Sequence, residues 1–399
     1  MLLIIKGDLI VKNKNVLLSS IYTGYNYGTS LQALAMKMII KKYGYNPEIV
    51  AYKATMSKGR DIRISKIARM FFRTIFRPRL FKKTFLTYSK SMGKSIDNQT
   101  KEKFYQFTKN HINPTLCSNS QLKKKAKDSF ACVCGSAQIW NTEAVYVSPL
   151  FYLRYSPKNK RIAYAPSLGK EYVPDYNKRL LKKYINEIPY VSVRETQGAK
   201  VIKDLCSRDV TVVLDPTLLF SYEEWQQCSK KTSFEDYILI YFLDEPSENT
   251  INLINKMYPD KKKVSILYNF DIYSKLENHE HYFAGPSEFL DLIYRAEFVY
   301  TDSFHGLVFC VNFNKNFYIF DRNYGVASPQ TSRITSIIDL LGIKNAYLTV
   351  DAEEYPVDWK CDYANINRIL QDLREKSFEY FRNSLEGISN EPRSSGTIK

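Results

Sequence analysis

The stretch Phe298-Val-Tyr-Thr-Asp-Ser-Phe-His-Gly306, continuing as Leu307-Val-Phe-Cys-Val-Asn-Phe313, decides how the rest of this chain is read. Phe298 to Thr301 is apolar and β-prone, which predicts a short buried strand after a helix-like run from Pro286 to Ala296. Asp302 and Ser303 are favoured helix N-caps, and Leu307 to Phe313 suits a helix. Between strand and helix sit a hydroxyl, a histidine and a glycine. Open α/β sheets bind ligands at such turns, and the free N–H groups of a helix start suit an anion. The same residues also read as a plain capping turn holding one satisfied histidine.

Working outward, the alternation of strand and helix continues on both sides. Tyr237 to Phe242, Val264 to Leu267 and Phe317 to Phe320 read as further strands. Ser247 to Tyr258 and Arg333 to Leu341 read as helices, while His279-Glu-His281 lies in a polar stretch that reads as a solvated loop. Upstream, Asn15 to Tyr22 is a strand-like run ending in Thr23-Gly-Tyr-Asn-Tyr-Gly-Thr-Ser30, followed by helical spacing from Leu31 to Tyr43 and a strand at Tyr45 to Tyr52. Ser129 to Cys134, Arg161 to Ser167, Tyr190 to Val193 and Thr211 to Leu214 supply more strands. The pattern predicts an α/β protein of two doubly wound, Rossmann-like units. The first spans residues 1–220, with a basic aromatic helical insertion at about 55–128, and the second spans 234–350. A polar hinge at Ser221 to Ser233 joins them, a last helix within 351–386 packs back across both, and 387–399 is a disordered tail.

The 399 residues are long enough for two full cores, and no run approaches the ~20 apolar residues of a membrane span. Met1-Leu-Leu-Ile-Ile-Lys6 carries a charge too early for a secretory signal, and seven cysteines without metal-like spacing fit a reducing cytoplasm. No metal site is expected. The net charge of +17 is concentrated: residues 51–130 hold 20 Lys and Arg against 4 Asp and Glu, which leaves +1 for the remainder. Within that segment Ile64, Ile67, Ala68, Phe71, Phe72, Ile75 and Phe76 form a helical stripe, with Arg63, Lys66, Arg69, Arg73 and Arg77 on the other faces. Such a helix suits an anionic membrane surface, so residues 63–88 are a candidate peripheral contact. It equally suits an ordinary helix packed on its own domain with a solvated basic face. Interleaved aromatics raise nucleic acid as a third and weaker option, and no nucleic-acid partner is expected.

Several strand-end turns recur in order: Tyr25-Asn-Tyr-Gly28, Gly135-Ser-Ala-Gln-Ile-Trp-Asn141, Ser192-Val-Arg-Glu195 and Thr301-Asp-Ser-Phe-His-Gly306. With Leu214-Asp-Pro-Thr-Leu-Leu219 and Ser332-Arg-Ile334 they make the chain resemble the polysaccharide pyruvyl transferase family over about residues 15–345. The resemblance implies a glycosyltransferase-B-like pair of domains facing a cleft, and transfer of the enolpyruvyl unit of phosphoenolpyruvate onto sugar hydroxyls as a ketal. No cofactor is implied beyond phosphoenolpyruvate as co-substrate.

On that resemblance Arg194 and His305 are the candidate catalytic residues. Arg194, Ser303, His305, Gly306 and Arg333 would bind the donor; Gly24, Asn26, Gly28, Ser136, Gln138, Trp140 and Asn141 would bind the acceptor. The chemistry wants such groups independently: a guanidinium clamps carboxylate or phosphate, and an imidazole handles protons near neutral pH. Each has a plainer reading. Arg194 could pair with Glu195 at a surface, Asp215-Pro216 could be a structural turn, Trp140 and Asn141 could close the first domain, and Arg333 could cap a carboxylate. Relatives carry Asp where this chain has Ala137, which implies altered acceptor recognition or lost activity. The expected setting is cytoplasmic, at the inner face of the plasma membrane if the acceptor is lipid-linked. A nucleotide-sugar glycosyltransferase and a non-catalytic assembly scaffold are the rival functions.

Overall fold

Short runs of β-branched and aromatic residues, too apolar to face water on either side, dictate parallel strands covered by helices. The computed structural model describes residues 14–53, 56–57, 60–61, 63–75, 77, 80, 96–322, 332–349 and 359–390. In chain order the first unit holds β1 (Asn15–Ser19), α1 (Tyr27–Lys42) and β2 (Asn46–Tyr52), then a small ribbon of β3 (Met56–Ser57) and β4 (Arg60–Asp61). Next come α2 (Ile64–Thr74), α3 (Asn98–Phe107), β5 (Thr115–Cys117), α4 (Asn119–Asp128), β6 (Ala131–Cys134) and β7 (Arg161–Ala163). The unit ends with α5 (Asp175–Asn186), β8 (Tyr190–Val193), α6 (Thr196–Cys206) and β9 (Thr211–Val212). Seven of these strands form one sheet in the order β5-β2-β1-β6-β7-β8-β9, every pair parallel.

The second unit follows the short α7 (Tyr222–Gln226). It contains β10 (Tyr237–Tyr241), α8 (Glu248–Met257), β11 (Lys262–Ile266), β12 (His279–Tyr282), α9 (Pro286–Arg295), β13 (Phe298–Thr301), α10 (Phe304–Asn312), β14 (Asn316–Phe320), α11 (Ser332–Leu341) and β15 (Tyr347–Leu348). Its sheet is again parallel, in the order β12-β11-β10-β13-β14-β15. The long helix α12 (Tyr363–Asn390) closes the chain.

Both sheets reverse direction once, between β1 and β6 in the first and between β10 and β13 in the second. In open α/β sheets the crevice at that reversal, beyond the carboxyl ends of the strands, is where a ligand sits. Here the two crevices meet. Tyr27 at the start of α1 stacks on Phe289 of α9 at 4.4 Å, and its hydroxyl donates to the Ala284 carbonyl at 3.0 Å. The ring is fully buried in a core cluster shared by both units. Truncating a buried aromatic of this kind costs about 3–5 kcal/mol. Helix α12 straps the units together: Ser377 Oγ accepts from the Leu214 N–H at 3.0 Å, Tyr380 donates to the Ala163 carbonyl at 3.0 Å, and Arg374 Nη2 donates to Asn312 Oδ1 at 2.6 Å.

Several sequence expectations change. The polar stretch at His279–Tyr282 is the edge strand β12, because both imidazoles anchor on the Ser265 hydroxyl at 2.8 Å and so tolerate an edge position. The supposed hinge at 221–233 contains α7, whose Trp225 is fully buried and packs on Phe309. The expected insertion at 55–128 is too long, since β5 returns to the sheet beside β2. Residues 387–390, expected in a tail, belong instead to α12, which continues to Asn390 with Gly387 packed on Tyr190. Residues 391–399, and 76, 78, 79 and 81–88 of the proposed membrane contact, lie outside the described residues.

Candidate functional site

A cavity of about 280 Å³ lies where the two reversal points meet. Asn26, Thr29 and Gln32 from the start of α1 line it, with Ala137 and Gln138 after β6 and Arg194 after β8. The second unit contributes Leu243 after β10, Asp302, Ser303 and His305 after β13, Arg322 after β14, and Ile334 of α11.

Behind this wall stands Asp215, whose side chain is fully buried and gathers Gln32, Arg194 and His305 from the lining. Arg194 Nη1 and Gln32 Nε2 each donate to its Oδ2 at 2.5 Å. The Thr217 hydroxyl and N–H donate to Oδ1 at 2.6 and 3.0 Å. His305 Nε2 stands 3.9 Å from Oδ2. Burial alone would raise the Asp215 carboxyl, but Arg194, then His305 and the hydrogen bonds from Thr217 and Arg194, hold it below its ordinary value. The carboxylate is therefore charged in the fold, and positive charge on His305 is attracted to it.

Arg194 is buried as well. Its Nε donates to Glu195 Oε1 at 3.1 Å, and its guanidinium lies over the Phe304 ring at 4.8 Å. Burial would lower its proton affinity, but Glu195 and Asp215 reverse this and leave it raised. Its Nη2 is buried with no hydrogen-bond partner among the described residues. A buried guanidinium N–H without an acceptor is costly unless a ligand supplies one.

The turn after β13 is built by its own side chains. Ser303 is the N-cap of α10, accepting from the Gly306 N–H at 3.3 Å, and its own N–H donates to Thr301 Oγ1 at 3.0 Å. Asp302 does not cap this helix. Its carboxylate accepts from the Leu243 and Asp244 N–H groups at 2.6 and 2.9 Å, tying β13 to the loop after β10. Burial pushes the Asp302 carboxyl up to about 6, against the lowering influence of Arg322 and of the two N–H groups. Arg322 bonds Asp244 at 2.9 Å and lies 3.7 Å from Asp302.

Of the sequence-predicted residues, Arg194, Ser303, His305, Asn26 and Gln138 line this one cavity. Gly306 does not offer its N–H to a ligand, because Ser303 takes it, and a side chain there would run into Thr301. Gly28 serves a different purpose from the one expected: a Cβ there would overlap the His305 ring, so glycine lets the two units approach. Gly24 is a turn residue at φ +94°, with nothing near its Cβ position. Asn26 caps α1, accepting from the Thr29 N–H at 3.0 Å. Ser136 is buried, donating to the Ala165 carbonyl at 3.1 Å and accepting from Gln32 at 3.3 Å. Trp140 is core rather than cleft: it stacks on Tyr152 at 5.1 Å and donates to the Phe151 carbonyl. Asn141 accepts from the Glu143 N–H at 3.0 Å and lines a second cavity instead. Arg333 belongs to α11 beside the cavity-lining Ile334, but its side chain lies outside the described residues.

Sequence reasoning missed Gln32, Asp302 and Arg322 as wall residues and undervalued Asp215. For Arg322 a signal existed, since it follows a predicted strand at its carboxyl end, where open sheets place ligands. The second cavity, about 760 Å³, is walled by Tyr22, Tyr52, Tyr146, Phe151 and Tyr152 and shares Ile21 and Gln138 with the first. Lys66 and Met70 of α2 form part of its lining.

No curated protein sequence matches the chain. Among solved structures it is similar to a glycosyltransferase from Rickettsia africae (TM-score 0.47, 8% identity, covering 95% of this chain and 94% of that one). It is also similar to a UDP-GlcNAc 2-epimerase from Neisseria meningitidis bound to UDP-GlcNAc (TM-score 0.41, 13% identity, 91% and 100%). A third is the glycosyltransferase SnogD from Streptomyces nogalater (TM-score 0.41, 8% identity, 94% and 99%). The two Rossmann-like sheets facing a cleft are a glycosyltransferase-B-like arrangement. A family model described as polysaccharide pyruvyl transferase matches residues 26–324, from the cap of α1 to just past Arg322. The chain thus belongs to the polysaccharide pyruvyl transferase family.

Proposed function

We propose that the protein transfers the enolpyruvyl group of phosphoenolpyruvate onto saccharide hydroxyls, with the donor in the interdomain cavity. The observation that carries this reading is Arg194, buried in the cavity wall with Nη2 lacking an acceptor among the described residues. A small dianion or trianion supplies that acceptor. In the reaction a proton is added to the donor's methylene carbon, making it a methyl group. An acceptor hydroxyl oxygen bonds to the neighbouring carbon, losing the proton that offsets the one added, and the bond from that carbon to the phosphate oxygen breaks. A second hydroxyl closes the ketal, and its proton balances the departing phosphate. His305, steadied by Asp215, is the proton-handling group, and Arg194 orients the donor and offsets its charge. The aromatic-walled second cavity supports an acceptor site adjoining the first, since sugar faces stack on aromatic rings. Ala137 leaves that junction without the carboxylate of relatives, consistent with altered acceptor recognition. In its finer form the reading has the enzyme working in the cytoplasm, on a lipid-linked acceptor at the inner face of the plasma membrane, in cell-surface or exopolysaccharide synthesis.

Calorimetric titration with phosphoenolpyruvate, beside a panel of uridine and guanosine nucleotide sugars, tests this without the acceptor. Saturable donor binding that weakens about 10- to 100-fold in Arg194→Lys is expected, the loss of one charged hydrogen bond from Nη2. Tight binding of a nucleotide sugar with phosphoenolpyruvate silent would hand the site to a glycosyltransferase. Donor binding that never leads to transfer across a panel of acceptors would make the protein a scaffold.

A further inference from the structure

Helix α2 is mounted the wrong way round for a helix of a water-soluble domain. Its apolar stripe faces outward: Ile64 is 85% exposed and Phe72 71%, and Ile67, Phe71 and Ile75 are exposed with them. The only buried residue among Ile64–Thr74 is Thr74. Arg63, Lys66 and Arg73 face the protein and are tied down there. Arg73 donates to the Val145 and Tyr176 carbonyls at 2.9 and 2.7 Å and to Asn177 Oδ1 at 2.5 Å. Arg63 lies over the Tyr52 ring at 3.9 Å, and Lys66 over Tyr146 at 5.5 Å. These contacts fix the helix in rotation, so the outward stripe is imposed by the fold. They also remove Arg73 from the set of solvent-facing cations that the sequence pattern offered.

Contiguous exposed apolar surface of this kind marks an interaction site. We infer that α2 docks the protein on an anionic lipid surface, with Ile64, Ile67, Phe71, Phe72 and Ile75 entering the headgroup boundary. Charge selects this occupant. The stripe is carried by the segment 51–130, which holds +16 of the chain's +17, and Arg69 and Arg77 remain exposed beside it. An anionic bilayer is attracted to that field, at about 1 kcal/mol per basic residue near the surface. A second copy of the chain would bring a like-charged segment against it and be repelled. Lys66 and Met70 connect this helix to the second cavity, so docking brings that cavity toward the membrane. The inference stands on α2 alone and does not require the donor chemistry.

The test is co-sedimentation of the purified protein with vesicles of phosphatidylcholine alone and of equal parts phosphatidylcholine and phosphatidylglycerol. Wild type is expected to partition onto the anionic vesicles and to be released by salt. Phe71→Ser with Phe72→Ser, two exposed positions outside any core, should reduce partitioning by at least about tenfold. Arg69→Glu with Arg77→Glu should do the same on anionic vesicles only. Phosphoenolpyruvate titration of both variants should match wild type, which separates this outcome from failure of the donor assignment. Wild type that ignores both vesicles, or serine variants that bind as wild type does, would overturn it. So would light scattering that finds a dimer dissolved by the serine pair, which would give the stripe to a second copy of the chain.

Discussion

Replacing Gly28 with alanine moves His305 without touching a single functional group. A methyl on Gly28 would overlap the imidazole at Nδ1 and Cγ and would leave even Cε1 at 2.5 Å, against the 3.4 Å where ordinary contact begins. The α1 backbone is anchored by the Asn26 cap and by Tyr27 in the shared core, so the ring must yield, by about 1 Å or more. Alanine improves helix propensity by up to about 1 kcal/mol, while overpacking costs about 1–3 kcal/mol, so net stability should fall by no more than about 3 kcal/mol. Function should suffer far more. Losing one charged hydrogen bond to the donor, about 1.5–3 kcal/mol, weakens phosphoenolpyruvate about 10- to 100-fold. A displacement of this size costs about a hundredfold in turnover. The assay pairs calorimetry with nuclear magnetic resonance of histidine-labelled protein, which carries only four imidazoles, with His305→Asn assigning the relevant one. The His305 signals should shift while those of His111, His279 and His281 stay in place. Donor affinity within about threefold of wild type, with the His305 signals unmoved, would refute the role given to this close approach.

Asp215→Asn keeps the Oδ1 contacts to Thr217 but turns an amide N–H₂ toward the Gln32 and Arg194 donors, so it should cost about 3–5 kcal/mol in urea unfolding followed by tryptophan fluorescence. Because the folded Asp215 value is depressed, its contribution is present above the ordinary carboxylate range and is lost as pH falls through that depressed value. The difference between wild type and variant should shrink in acid, and a constant difference would count against the buried ion pair. Asp302 runs the opposite way. Its folded value is raised to about 6, so the folded state holds the extra proton and stability falls as pH climbs from about 4 to about 6, then levels. Asp302 also lines the donor cavity, and in the folded protein it ionises around pH 6, so phosphoenolpyruvate affinity should weaken as pH rises through about 6, and Asp302→Asn should flatten that step relative to wild type. An unchanged profile in the variant would assign the step to another group.

What the sequence determined by itself is local. Alternating short apolar runs and helical spacing specify two parallel sheets, and the strand-end turn marks Ser303 and His305, whereas Arg194 is singled out only through the family resemblance. Periodicity and capping depend on neighbours a few residues away. The strand β12 and the end of α12 escaped for the same reason: their stability comes from Ser265 and Tyr190, each remote along the chain. Only the tertiary structure made Asp215 the hub of the site, since its partner Gln32 is 183 residues away and His305 comes from the other sheet. Only the tertiary structure moved Trp140 into the core and gave Gly28 to the domain contact. The same limit governs α2. Its sequence marks one apolar and one basic face, but the aromatic rings and carbonyls that hold the basic face inward are set by packing. Amphipathic spacing states that two faces differ, whereas which of them meets water is decided by the surface the fold presents to the helix.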